Sequence, residues 1–300
     1  MTETKPTKQT IWFVRYGLTE HPLVEDLGPY DSDIDPSEGI DHAMSIAKRV
    51  AVGLNESIPS VVYASPFLRT AHTGYIVANE LSKTNTNVEL RLEEGLWEWL
   101  IPSLLVTKVD GIKTHPRPLD MLQTELIALE AQRATNPSTI NLQYQSVNPY
   151  DDSGDVGVEC VPERVVKTNL SNNSDGRPPR WIETEETLLE RCETTLTRLL
   201  KLHAKDAQSM CIVSHAPCDQ AMAFCLEKTC NSKIQTPQDS KLTPWPLGGI
   251  TVFSRDVEYD DNNENPTFGE WTMDLYGNTE HMPGKYKQGL KEWSLPCFSK

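Results

Sequence analysis

The sequence predicts an α/β protein with a mainly parallel sheet covered by helices on both faces, and three features of the 300-residue chain carry that prediction. Short apolar runs of strand length end in polar residues: Ile11 to Val14 before Arg15, Val61 to Ala64 before Ser65, and Met210 to Val213 before Ser214. Stretches with apolar residues at helical spacing separate these runs, and no segment repeats. Strands that alternate with amphipathic helices pack as a parallel sheet between helical layers. Ligands of such sheets bind beyond the carboxyl ends of the strands, which is where Arg15, Tyr16, Arg69 and His215 fall.

In chain order, the polar residues 1–10 are expected to form a disordered tail, and the first strand covers Ile11 to Val14. A loop rich in Pro, Gly and Asp follows over about 20–36 and ends at Ser37, a residue suited to cap a helix N-terminus. Ile40, Ala43, Met44, Ala47, Val50, Ala51 and Leu54 then recur at helical spacing, so this helix packs on the sheet. Pro66, just past the second strand, fits the first turn of another helix. Val88 to Leu92 leads into the segment Glu93, Glu94, Gly95, Leu96, Trp97, Glu98 and Trp99.

From about residue 101 to 180 the periodicity is lost, apart from a short helix over Leu119 to Ala131. This region reads as a loop-rich insertion over the cleft, too poor in periodic apolar residues to build its own core. Leu188, Leu189, Cys192, Leu196, Leu199 and Leu200 mark a helix that leads to the strand before His215. Pro217 opens the next helix, and Ile250 to Phe253 form a late strand.

A net charge of −15 argues against direct binding of nucleic acid, because affinity for its backbone comes from neutralising cations. A local basic pocket for a small phosphorylated ligand is compatible with that charge. No run of about 18 apolar residues exists, so no membrane span is expected. The polar N-terminus lacks the apolar stretch of a signal peptide. Seven cysteines, an odd number at irregular spacing, suit a reduced compartment, cytoplasmic or nuclear.

Three motifs carry the chemistry. Arg15-Tyr16-Gly17 follows the first strand; Ser65, Pro66, Arg69 and Thr73 follow the second; Val213-Ser214-His215-Ala216 ends the third. Together and in this order they resemble the histidine phosphatase (phosphoglycerate mutase-like) superfamily, whose first signature is Arg-His-Gly. The resemblance implies a three-layer α/β/α sandwich, with one domain over 11–300 and the insertion at about 101–180. It implies phosphate binding by Arg15 and Arg69, and stabilisation of the transferring phosphoryl group by His215. It implies a leaving-group acid in the Glu93–Trp99 segment, for which Glu93 is chosen ahead of Glu94 and Glu98. Two guanidinium forks suit this task, since each holds phosphate oxygens bidentately. The segments Gly28 to Asp33, Glu93 to Trp99 and Trp271 to His281 are similar to one branch of that superfamily. That branch holds the T-cell receptor signalling suppressor phosphatases and the phosphatase-like tau subunit of transcription factor IIIC.

Tyr16 is the departure, because it stands where the family carries its nucleophilic histidine. A neutral imidazole attacks phosphorus and forms a phosphohistidine that water cleaves. A phenol is almost wholly protonated at neutral pH, and its phosphate ester would need separate catalysis for hydrolysis. The expectation is a pseudophosphatase that binds a phosphorylated small molecule or phosphoprotein. The alternatives are an active phosphomonoesterase with a non-histidine or displaced nucleophile, His72 or His21, and a structural subunit of a transcription factor IIIC-like complex. No metal or other cofactor is implied by this chemistry.

Overall fold

The structure, a computed structural model, describes residues 7–19, 32–54, 57–99, 119–131, 139–146, 183–231, 233–242, 244–259, 266–284 and 292–298. Aromatic and β-branched side chains favour a pleated, half-buried surface, and Ile11, Trp12, Phe13 and Val14 form the middle of β1 (Thr7–Arg15), all fully buried. β1 lies parallel to β4 (Met210–Ser214), with Arg15 opposite Ser214. β4 lies parallel to β2 (Val61–Ala64), and β2 to β3 (Glu89–Leu92). On the other side of β1 the sheet turns antiparallel through β6 (Ile250–Glu258), which pairs with β7 (Thr267–Phe268) and β8 (Thr272–Asn278). The order is β3-β2-β4-β1-β6-β7, with β8 also on β6. A separate pair joins β5 (Trp245–Pro246) to β9 (Glu292–Trp293).

Side chains alternate across a strand, so the sheet builds two cores. Ile11, Phe13, Tyr63, Met210 and Ile212 face α4 (Glu185–Leu202) and α5 (Ala216–Cys230). Trp12, Val14, Val62, Cys211 and Val213 face α1 (Glu38–Val52) and α2 (Leu68–Leu81). These are the three layers expected, with four parallel strands at one side and antiparallel ones at the other.

The first strand begins earlier than the sequence indicates, within the stretch 1–10 expected to form a disordered tail. β1 takes in residues 7–10 because β6 is long enough to pair with them, Thr7 opposite Val257. Gln9 and Thr10 are buried there, and Thr10 N donates to Ser209 Oγ at 2.8 Å. Residues 1–6 lie outside the described part, as do most of residues 101–180. Of that insertion, the helix over Leu119–Ala131 is present as α3, and its Leu122 and Leu126 join the α1/α2 core. Ile140 bridges Leu90 and so prolongs the β3 edge.

One local reading changes. Ser37 stands at the N-cap of α1 but makes no side-chain cap bond. Asp35 does the capping instead: its Oδ1 accepts from Ser37 N at 2.9 Å, Glu38 N at 2.8 Å and Ser37 Oγ at 2.8 Å. Those donors hold its carboxyl below the ordinary range. The segment Trp271 to His281 is mostly β8, its backbone spent on pairing with β6. The six described cysteines are free thiols. Among the described residues no helix is long and apolar enough to cross a membrane.

Candidate phosphate site at the carboxyl ends of the parallel strands

The register brings the three motifs together. Arg15 ends β1, Ser65 follows β2 with its N–H on the Val213 carbonyl at 3.0 Å, and His215 follows β4. The turn after Arg15 lies against the start of α1, and a Cβ on Gly17 would stand 2.7 Å from the Gly39 carbonyl oxygen. Only glycine permits that approach. Gly17 N donates to Thr73 Oγ1 at 3.4 Å, which in turn donates to the Arg69 carbonyl at 2.8 Å. The first and second motifs are thereby joined through α2.

His215 is fully buried at the N-cap of α5. Its Nε2 is 2.9 Å from Ser65 Oγ, and its Nδ1 is 3.0 Å from Glu98 Oε2 and 3.2 Å from Arg69 Nη2. A guanidinium offers no acceptor and an ionised carboxylate no donor. The Glu98 contact is a hydrogen bond only with the proton on Nδ1, and in that tautomer Ser65 donates to Nε2 while Arg69 bonds the carboxylate and not the ring. Arg69 Nη2 donates to the same Glu98 oxygen at 3.1 Å. The Tyr16 ring sits among these groups, 4.9 Å from the Arg69 guanidinium, 5.8 Å from that of Arg15 and 5.5 Å from the His215 ring. Arg15 is anchored from below, its Nη1 donating to the Trp245 carbonyl at 2.6 Å.

The electrostatics follow from burial and these pairs. Burial pushes the Glu98 carboxyl up, but His215 and then Arg69 outweigh it and hold it at about 2. Burial lowers His215 to about 4 despite the pull of Glu98, and Arg69 adds to the lowering. Asp219, one turn into α5, is pushed well above its ordinary range by burial and then by Cys218, with Arg15 opposing. At neutral pH the cluster thus holds two guanidinium cations, one carboxylate and a neutral imidazole.

Acid sensitivity is expected, and its sign can be worked out. A histidine with its pKa lowered on folding leaves the unfolded chain with more protons, so stability falls as pH drops from about 6.5 to about 4. That window is worth on the order of 3 kcal/mol. Glu98 has its pKa lowered too, so its contribution is complete above about 4.5 and is lost toward about 2. Urea unfolding between neutral pH and pH about 4.5 measures the first window, and His215→Gln should flatten it. A profile that is already flat in the parent chain would contradict the buried neutral imidazole.

Of the five predicted site residues, the structure brings together Arg15, Tyr16, Arg69 and His215. Glu93 is not with them. It is fully buried, pairs with Arg198, accepts from Tyr144 Oη at 2.5 Å and caps Gly95 N at 2.9 Å. Glu98, ranked behind it on the sequence, occupies the site instead. The segment is a 3-10 turn (Glu94–Leu96) flanked by extended residues, so linear spacing does not reveal which carboxylate faces His215. His72 has its Nδ1 3.1 Å from Asp33 Oδ1, away from this cluster of contacts. His21 lies outside the described residues. Trp245 carried no signal in the sequence, being 230 residues from the arginine it holds.

The Glu93–Trp99 segment is fixed from several sides. Arg191 pairs with Glu183 through Nε and Nη2, each at 2.7 Å, and its Nη1 donates to the Gly95 carbonyl at 2.8 Å. Ser214 Oγ donates to the Leu96 carbonyl at 3.0 Å, and Trp99 Nε1 to the Glu183 carbonyl at 3.0 Å. A Cβ on Gly95 would meet Thr195 Oγ1 at 2.4 Å, so the turn can lie on α4 only as glycine.

No protein-family model and no curated protein sequence matches the chain. Solved structures do. Ecdysone phosphate phosphatase from Bombix mori, in complex with tungstate, matches with a TM-score of 0.50 at 13% identity, over 95% of this chain and 98% of that one. Phosphoserine phosphatase from Entamoeba histolytica, in complex with 3-phosphoglyceric acid, matches at 0.44 and 15% identity, over 92% and 100%. A mycobacterial glucosyl-3-phosphoglycerate phosphatase matches at 0.45 and 14% identity, over 91% and 100%. The match to the ecdysone phosphate phosphatase shows a mixed α/β fold of the phosphoglycerate mutase-like type.

Proposed function

We propose that this chain is a pseudophosphatase, which binds the phosphoryl group of a small molecule or a phosphoprotein through Arg15, Arg69 and His215 without turning it over. One observation carries the reading. The guanidinium and imidazole groups suited to hold a phosphate are assembled, while the side chain among them at the nucleophile position is the phenol of Tyr16. Charge-assisted bonds from arginine are strong and directional, whereas a unit of coupled catalytic residues loses most of its rate with its nucleophile. A phosphomonoesterase with a displaced nucleophile has less support, since His72 is tied to Asp33.

Two measurements test this: calorimetric titration with inorganic phosphate, and hydrolysis of a phosphomonoester, each on the parent chain and Arg69→Ala. The expected result is saturable binding, weakened at least about tenfold by the substitution, and no turnover in either protein. Turnover that Arg69→Ala abolishes would make the chain an enzyme and end the proposal.

A further inference from the structure

Glu98 is an anion that the cluster already holds. Its Oε2 accepts from Arg69 Nη2 at 3.1 Å and from His215 Nδ1 at 3.0 Å, two donors converging on one oxygen as they would on a phosphoryl oxygen. Its Oε1 accepts from Trp99 N at 3.0 Å. The two donor residues are deep, His215 at 0% and Arg69 at 4% exposure, whereas the Glu98 side chain retains 16%. The carboxylate therefore has solvent on one side and the donor pair on the other.

We infer that Glu98 is an internal ligand of the Arg69–His215 pair, and that an external oxyanion binds there by taking its place. The inference rests on the reading of this cluster as a phosphate site. The backbone around residue 98 is held by Ser214, Arg191 and Trp99, through bonds that involve none of the Glu98 side-chain atoms. Displacement consequently requires rotation of one side chain, which also releases Trp99 N from Oε1, while these bonds keep the segment in place. A tethered carboxylate competes at a high effective concentration, so it weakens every free anion at the same seat. It also repels a second negative charge brought alongside. Both effects act in the same direction, and a dianionic phosphomonoester feels the second more than a monoanion does. Glu98 is thus the residue that determines how tightly, and in which charge state, an oxyanion is retained.

The experiment is calorimetric titration of inorganic phosphate into the parent chain, Glu98→Ala, Glu98→Gln, and Glu98→Ala combined with Arg69→Ala, with folding checked by circular dichroism. Glu98→Ala is expected to bind phosphate at least about tenfold more tightly than the parent, with Glu98→Gln between them and the double variant losing the gain. Glu98→Gln keeps the shape of the side chain and carries the test should the alanine variant fail to fold. Equal or weaker binding by the folded variants would overturn the inference, because Glu98 would then be orienting His215 for the ligand, while phosphate binding by the parent would still stand. A gain that survives loss of Arg69 would also overturn it. Binding by the variants alone would support the internal ligand and end the reading of the parent as a phosphate binder. Silence in all four proteins would end both.

Discussion

Tyr16→His is expected to hydrolyse a phosphomonoester at least about a hundredfold faster than the parent chain. The substitution returns an imidazole to a position 5.5 Å in ring-to-ring distance from His215 and within 5–6 Å of both guanidinium groups, as the tyrosine ring now stands. An imidazole is smaller than a phenol, so nothing must move to admit it, and it is largely neutral and nucleophilic near neutral pH. Glu98 would have to leave Arg69 for a substrate to enter, so the new activity is expected to rise again in Tyr16→His combined with Glu98→Gln only if binding limits the rate. The check is hydrolysis of a chromogenic phosphomonoester from acid to neutral pH, with Tyr16→His plus Arg69→Ala as control. Activity confined to the single variant means one residue disarms an otherwise intact site. A parent chain as active as its variant would show that another nucleophile operates.

Arg191→Met is expected to cost about 3–5 kcal/mol of stability, because it leaves the Glu183 carboxylate buried without its counter-charge. Both side chains are about 5% exposed and share two bonds at 2.7 Å, a geometry unlike that of a surface pair. Removing both charges together, as Arg191→Met with Glu183→Leu, is expected to cost much less, since a well-packed apolar pair often replaces a buried ion pair at little loss. Urea unfolding followed by tryptophan fluorescence measures both, with Trp99 directly on Glu183. A single-variant loss below about 1 kcal/mol would put this pair in the class of surface ion pairs.

The sequence made the carboxyl ends of the parallel strands legible because each is written locally: an apolar run stops, and a polar residue with a distinctive side chain follows. Arg15, Arg69 and His215 came from that rule together with the family resemblance. The choice between Glu93 and Glu98 did not, since the direction of each carboxylate is set by partners far along the chain, Arg198 and Tyr144 for one and His215 and Arg69 for the other. The same reason hid Trp245 beneath Arg15. Asp35 escaped notice for a different cause. Ser37 and Asp35 are both capping residues by type, and which one turns its oxygen to the helix depends on the bend between them. In the antiparallel half, β7 is two residues long and leaves no periodicity to detect.

The central position of β1 governs the order in which the protein can be made. Residues 7–15 are made well before their partners, Met210–Ser214 on one side and Ile250–Glu258 on the other. This strand, with its apolar middle Ile11–Val14, must wait through roughly two hundred residues of synthesis before either edge is satisfied. Contacts so distant in sequence close slowly, and an unpaired hydrophobic strand is an invitation to the wrong neighbour. Arg15 waits as well, since its anchor is the carbonyl of Trp245, in a strand that pairs with Glu292–Trp293. The segment therefore stays unpaired through that stretch of synthesis, and the arginine that opens the motif reaches its final setting only after Trp245 is made.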